Sequence, residues 1–117
     1  SAVFHQTVHR PWGSYTVLED ADDCKVKRLV VSPGGVLSLQ RHEHRSEHWT
    51  VVFGVARVRV GDEQFDLGAN QTVEIPAGSL HRLENPGDEN VHIIEVQTGS
   101  YFGEDDIERL EDEYGRA

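Results

Sequence analysis

The chain has 117 residues, and its 11 lysines and arginines against 21 aspartates and glutamates give a formal net charge of -10. That length allows one domain with a single core, and the acidic balance argues against nucleic acid or an anionic membrane as partner. A lone cysteine, Cys24, excludes an internal disulfide and fits a reducing, cytoplasmic compartment; no apolar run has membrane-span length and no leader pattern opens the sequence.

In chain order, residues 1–13 lack a clean period and contain Pro11 and Gly13, so they read as an N-terminal arm. From Ser14 to Gly103 short β-branched segments alternate with glycine-marked turns, the pattern of an antiparallel sandwich or barrel. The expected strands are Tyr15 to Leu18, Cys24 to Val31, Val36 to His42, Trp49 to Val60, Glu63 to Leu67, Thr72 to Ile75 and Val91 to Gln97, with Gly54 and Gly61 marking turns or bulges. Lys25, Lys27, Arg57 and Arg59 sit at alternating positions expected to face water. The tail, 104–117, changes to helical spacing: Ile107, Leu110 and Tyr114 share a face, Asp105 and Glu108 suit a capping box, and Gly115 suits a stop. The expected fold is therefore all-β with a short C-terminal α-helix.

Two stretches carry candidate metal ligands. The first is Gly34-x5-Gln40-x-His42-x4-Glu47-x6-Gly54, and the second is Pro76-x-Gly78-x2-His81-x3-Asn85. One amide, two imidazoles and a carboxylate form a mixed oxygen and nitrogen set suited to a borderline divalent cation with open coordination positions. Side chains two apart on a strand share a face. Gln40 therefore points with His42, and Glu47 points with Trp49, Val51 and Phe53, whereas His48 faces the other way. A carboxylate entering an apolar interior is costly unless a cation or hydrogen bonds compensate it. His5, His9 and His92 read as ordinary strand or surface histidines.

These motifs resemble the two motifs of the cupin superfamily, with Gln40 where the first histidine is usual and Asn70 where the second motif usually opens on glycine. More narrowly, Arg10-Pro-Trp-Gly13, the Leu39 to Trp49 block, Ile75-Pro-Ala-Gly to Asn85 and the Ile94 to Ile107 block are similar to the C-terminal domain of type II mannose-6-phosphate isomerases, often fused to a mannose-1-phosphate guanylyltransferase. The family usually shows three histidines where this chain has His42-Glu43-His44. The resemblance implies a cupin double-stranded β-helix, or jelly-roll barrel, over 14–103.

It also implies a metal-dependent aldose–ketose isomerase that interconverts mannose 6-phosphate and fructose 6-phosphate through an enediol. Gln40, His42, Glu47 and His81 would hold the ion, zinc first, with cobalt, manganese or nickel as alternatives. Arg45, expected in the loop before Glu47, is the first candidate for phosphate or oxyanion contact, with Arg82 and His44 beside it, because arginine's planar fork suits phosphate. Proton transfer falls to His48 or Glu95, with His44 and Glu84 also open. Other readings are a sugar-phosphate-binding cupin without turnover, the detached isomerase domain of a bifunctional guanylyltransferase, and a metal-dependent dioxygenase; the last needs a histidine where Gln40 stands. No glycine-rich phosphate loop is present, so guanylyl transfer is not expected. Pairing through the arm around Phe4 to Trp12 would give a homodimer.

Overall fold

Alternating inward and outward side chains, interrupted by turn residues, fold this chain into two antiparallel sheets in a computed structural model that describes residues 5–111. The strands are β1 (Thr7–Arg10), β2 (Gly13–Asp20), β3 (Cys24–Val31), β4 (Leu39–His42), β5 (Arg45–Phe53), β6 (Ala56–Val60), β7 (Glu63–Leu67), β8 (Thr72–Ile75), β9 (His81–Glu84), β10 (Val91–Gly99) and β11 (Ile107–Glu111). One sheet runs β1-β2-β3-β10-β5-β8 and the other β11-β4-β9-β6-β7. Between them Leu29, Val31, Trp49, Val51, Val58, Ile75, Leu83, Val91 and Ile93 form the core. Each such aliphatic side chain contributes about 1.5–3 kcal/mol when fully buried. Among the described residues no helix is long and apolar enough to cross a membrane.

Three expectations change. The arm is partly a strand: β1 pairs with β2 from Thr7↔Thr16 to Arg10↔Gly13, and Trp12 is buried in the core. The segment from Trp49 to Val60 is two strands rather than one, parted at Gly54, an expected turn or bulge position whose φ of 88° reverses the chain between β5 and β6. In place of the C-terminal helix, the described residues form a 3-10 turn, Glu104–Asp106, and then β11; the positions beyond Glu111 lie outside the described residues.

The reason is tertiary. Ile107 pairs with His42 and Arg109 with Gln40 along β4, and Asp106 accepts hydrogen bonds from the backbone N–H groups of Glu43 and His44 at 3.2 and 3.1 Å. Glu108, expected in a capping box, instead meets Arg41 at 2.8 Å. A free edge on β4 offers a full ladder, which outweighs the weak local preference for helix.

Asn70, where the resemblance expects glycine, is the one described non-glycine residue with positive φ, at 71°. Asparagine tolerates that left-handed conformation better than most side chains.

Candidate metal centre and its cavity

Strands β4, β5 and β9 bring the first ligand group together. In β4, Gln40 lies opposite His81 of β9; in β5, Glu47 follows the parity of Trp49 and Val51 into the interior. The turn before β9 is tied to β4, since Gly78, at a φ of 85°, donates its N–H to the His42 carbonyl at 2.6 Å. Only a residue free to adopt positive φ closes this turn without strain, and the turn fixes where His81 enters.

His42, Glu47 and His81 are 3%, 3% and 1% exposed, and one ligand atom from each falls within a mutual 4.8 Å. His42 Nε2 lies 2.8 Å from Glu47 Oε2, and His81 Nε2 lies 3.9 Å from Glu47 Oε1. Two donors each about 2.1 Å from one ion are separated by about 3.0–3.4 Å at angles between 90° and tetrahedral. The observed pair of distances brackets that range.

The hydrogen bonding agrees. His81 Nδ1 lies 3.1 Å from the Ser79 carbonyl, which fixes the tautomer with the lone pair on Nε2. His81 Nε2 and both ring nitrogens of His42 are buried without a hydrogen-bond partner; the contact of His42 Nε2 with Glu47 is close but not aligned as a hydrogen bond. Buried polar atoms left unpaired this way are costly, and a divalent cation would satisfy them. Gln40 lines the same cavity, with Oε1 accepting from Ser38 Oγ at 3.2 Å, so it is placed to add an oxygen ligand. The donor set fits a metal.

Behind the ligands lies a second carboxylate. Glu95 of β10 is 6% exposed; its Oε2 accepts from Trp49 Nε1 at 3.1 Å and its Oε1 from Gln97 Nε2 at 2.8 Å. Burial, and then the neighbouring charge of Glu47, push the Glu95 carboxyl well above the usual range, against the opposing pull of Lys27. Burial works against the charge of Glu47 as well, but His42 and His81 outweigh it and hold that carboxyl well below the usual range. Burial lowers the pKa of His81 against the opposing pull of Glu47, the direction that favours the neutral imidazole a metal needs.

The remaining candidates are dispersed. Arg45, expected in a loop, is in β5 and buried: Nη1 donates to Gln97 Oε1 at 3.2 Å, Nη2 to the Gly103 carbonyl at 2.7 Å, and Nε is 3.6 Å from Asp106 Oδ2. It lines the cavity with its guanidinium already engaged. His48 is exposed on the outer face of β5, opposite Glu74 and Val96, so it is not brought to the cavity. His44 is exposed near Asp106 and Tyr101. Arg82 and Glu84 point away from buried His81 and Leu83; Arg82 donates to the Leu37 carbonyl at 2.9 Å and meets Glu111 at 3.4 Å. Asn85 serves the fold, donating to the carbonyls of Val31 and Glu89.

Lys27 is the main residue that sequence reasoning placed wrongly. It lies directly across from Glu95 in the β3–β10 ladder and lines the cavity, together with Arg10, Tyr15 and Arg109. The signal was its shared parity with Leu29 and Val31, obscured by Val26 and Val30 on the other face.

Comparison with known proteins agrees with this geometry. The family described as mannose-6-phosphate isomerase C-terminal matches residues 1–112. The xanthan biosynthesis protein XanB of Xanthomonas campestris pv. campestris is 54% identical over 115 residues, covering 98% of this chain and 25% of that protein. The alginate biosynthesis protein AlgA of Pseudomonas aeruginosa is 56% identical, covering 96% and 23%. The mannose-1-phosphate guanylyltransferase ManC of Salmonella typhimurium is 50% identical, covering 96% and 23%. The chain thus spans about a quarter of the length of these relatives.

Among solved structures, oxalate decarboxylase from Bacillus subtilis has a TM-score of 0.80 at 19% identity, covering 91% of this chain and 30% of that one. A conserved protein with a double-stranded beta-helix domain from Klebsiella pneumoniae scores 0.74 at 21% identity, covering 92% and 86%. At that identity the likeness concerns the fold, which is the double-stranded β-helix of the cupins. With its His42, Glu47 and His81 converging inside that barrel, the chain belongs to the mannose-6-phosphate isomerase C-terminal family.

Proposed function

We propose that this chain is a metal-dependent isomerase domain interconverting mannose 6-phosphate and fructose 6-phosphate through an enediol. The observation that carries the reading is one cavity lined by Gln40, His42 and Glu47, on which His81 converges, and by a separate buried carboxyl, Glu95, with a raised pKa. Aldose–ketose isomerisation needs those two parts: something to stabilise an oxyanion, and one group that removes a proton from C2 and returns it to C1.

Gln40, His42, Glu47 and His81 would hold the ion, and zinc suits a two-histidine, one-carboxylate set, with cobalt, manganese or nickel as alternatives. When bound, the ion supplies a Lewis acid beside the reacting oxygens. Glu95, in its ionised form, takes the C2 proton and delivers it to C1. The Trp49 indole N–H and the Gln97 amide hold its two oxygens in place. A carboxyl whose pKa is raised toward the working pH is a stronger base for taking the C2 proton. Trp49, packed edge-on against His81 with ring centroids 5.7 Å apart, helps exclude water from the same region.

A second reading, a sugar-phosphate-binding domain without turnover or the detached isomerase part of a longer bifunctional protein, is favoured by the quarter-length coverage of the relatives. The names of the xanthan and alginate biosynthesis proteins among those relatives support a place in polysaccharide biosynthesis. The outer edge of β1, at the end of its sheet, is the natural pairing surface for a homodimer. A coupled isomerase assay on the purified chain, with and without chelator and with metal content measured, tests the proposal. Chelator-sensitive turnover is expected; one metal per chain with no turnover selects the second reading.

A further inference from the structure

Of the chain's 11 lysines and arginines, four described ones, Arg10, Lys27, Arg45 and Arg109, line the metal cavity of an acidic protein. Arg45 is committed to Gln97, Gly103 and Asp106. Arg10 and Lys27 are not committed in this way. Arg10 makes one hydrogen bond, to the adjacent His9 carbonyl at 3.1 Å, and neither residue forms an ion pair with a carboxylate among the described residues.

Both cations are instead gathered on one ring. The Arg10 Cζ is 5.6 Å from the Tyr15 centroid and the Lys27 Nζ is 4.6 Å from it. Two positive groups converging on one ring repel each other, and the ring's quadrupole offsets only part of that. Three cations elsewhere meet carboxylates directly, in Arg41–Glu108, Arg57–Asp66 and Arg82–Glu111. Lys27 feels the charge of Glu95 across the ladder but forms no close ion pair with it, and an anionic ligand would complete this pair of cations on the cavity wall.

We infer that Arg10 and Lys27, stacked on Tyr15, form the cradle that takes the phosphate of the sugar substrate, an inference that rests on the isomerase reading. The register supports the direction. Lys27 leaves β3 opposite Glu95, and its ammonium ends over Tyr15 on β2. Its stem therefore leads from the proton-transfer carboxyl out to the anion cradle, as an extended sugar phosphate would lie. This assignment replaces Arg45 and Arg82 as the phosphate contacts, since the first is internally paired and the second is on the outer face.

The test is equilibrium binding of fructose 6-phosphate, unphosphorylated fructose and inorganic phosphate to the metal-loaded chain, alongside Arg10→Gln, Lys27→Gln and Lys27→Arg. Losing one charge-assisted contact should weaken fructose 6-phosphate and inorganic phosphate about tenfold or more, while fructose binding stays unchanged. Lys27→Arg should recover most of the loss. In the unaltered protein, inorganic phosphate should shift the Tyr15 ring resonances, a readout that needs no variant to fold. Unchanged affinities in both Gln variants, equal losses for fructose and its phosphate, or an unmoved Tyr15 signal would overturn the cradle. Phosphate binding that depends on Lys27 without any turnover would leave the cradle standing and remove the isomerase reading. Turnover with unaltered KM in the Gln variants would do the reverse.

Discussion

Glu47 and Glu95 share the single N–H of Trp49, which lies 3.0 Å from Glu47 Oε1 and 3.1 Å from Glu95 Oε2. One donor cannot compensate two adjacent buried carboxylates, so their proton affinities separate. Glu47, flanked by His42 and His81, stays ionised; Glu95 holds its proton more tightly. A difference in role follows. Glu95→Gln should keep metal and fold, because the amide still accepts from Trp49, yet turnover should fall at least about 100-fold for want of a proton carrier. Metal content and kcat measured together decide this. Turnover close to that of the unaltered chain would take Glu95 out of the proton transfer.

The ligand set makes a thermodynamic prediction that needs no activity. An ion bound at a hundred times its Kd stabilises the folded chain by about 2.7 kcal/mol, equivalent to roughly 10 °C in Tm for a domain this size. Chelation should therefore lower the melting temperature by about that amount. Glu47→Ala and His81→Ala should each melt at one temperature with or without chelator. Stoichiometric metal retained in either variant would show that the ligands lie elsewhere.

Which parts of the site were legible depends on how local their causes are. Gln40, His42, Glu47 and His81 could be read because strand parity and the Pro76 to Gly78 turn fix their directions within a few residues. Lys27 could not, since Cys24–Val31 carries apolar residues on both faces and only pairing with β10 shows which face is inward. Arg45 was read as a loop residue because its partners Gln97 and Gly103 lie 52 and 58 positions away. The tail misled for a related reason: Ile107 and Leu110 fit a helical stripe, but β4 offered an open edge that no local pattern reveals.

Arg45 is a positioning residue in this arrangement, and its loss should be costly. It connects Gln97, which in turn holds Glu95, to the Gly103–Asp106 turn. Arg45→Met leaves the Gln97 oxygen and the Gly103 carbonyl without their donor, and losing a hydrogen bond to a charged group costs about 1.5–3 kcal/mol. Denaturant unfolding should show that loss. Metal should still bind, and the pH profile of kcat should move, because Gln97 no longer holds Glu95 in place. An unaltered stability and pH profile would make Arg45 a bystander.

Asp106 gives the chain a pH dependence of known sign. Burial opposes its charge, but the backbone N–H groups of His44 and Glu43, with the nearby charges of His44 and Arg45, hold its carboxyl below the usual aspartate range. A carboxyl with a depressed folded pKa contributes stability that is fully present above its unfolded pKa and is lost as pH falls through the folded value. Unfolding free energy should therefore decline on acidification below the ordinary aspartate range. Asp106→Asn should be less stable at neutral pH, since the amide carries no charge for these N–H groups or Arg45, and its stability should fall less steeply in acid. Because Asp106 fastens the turn that precedes β11, the same variant should expose the β4 backbone N–H groups to faster hydrogen exchange. Parallel acid slopes for the two proteins would mean that Asp106 is not the group linking pH to the closure of this strand pair.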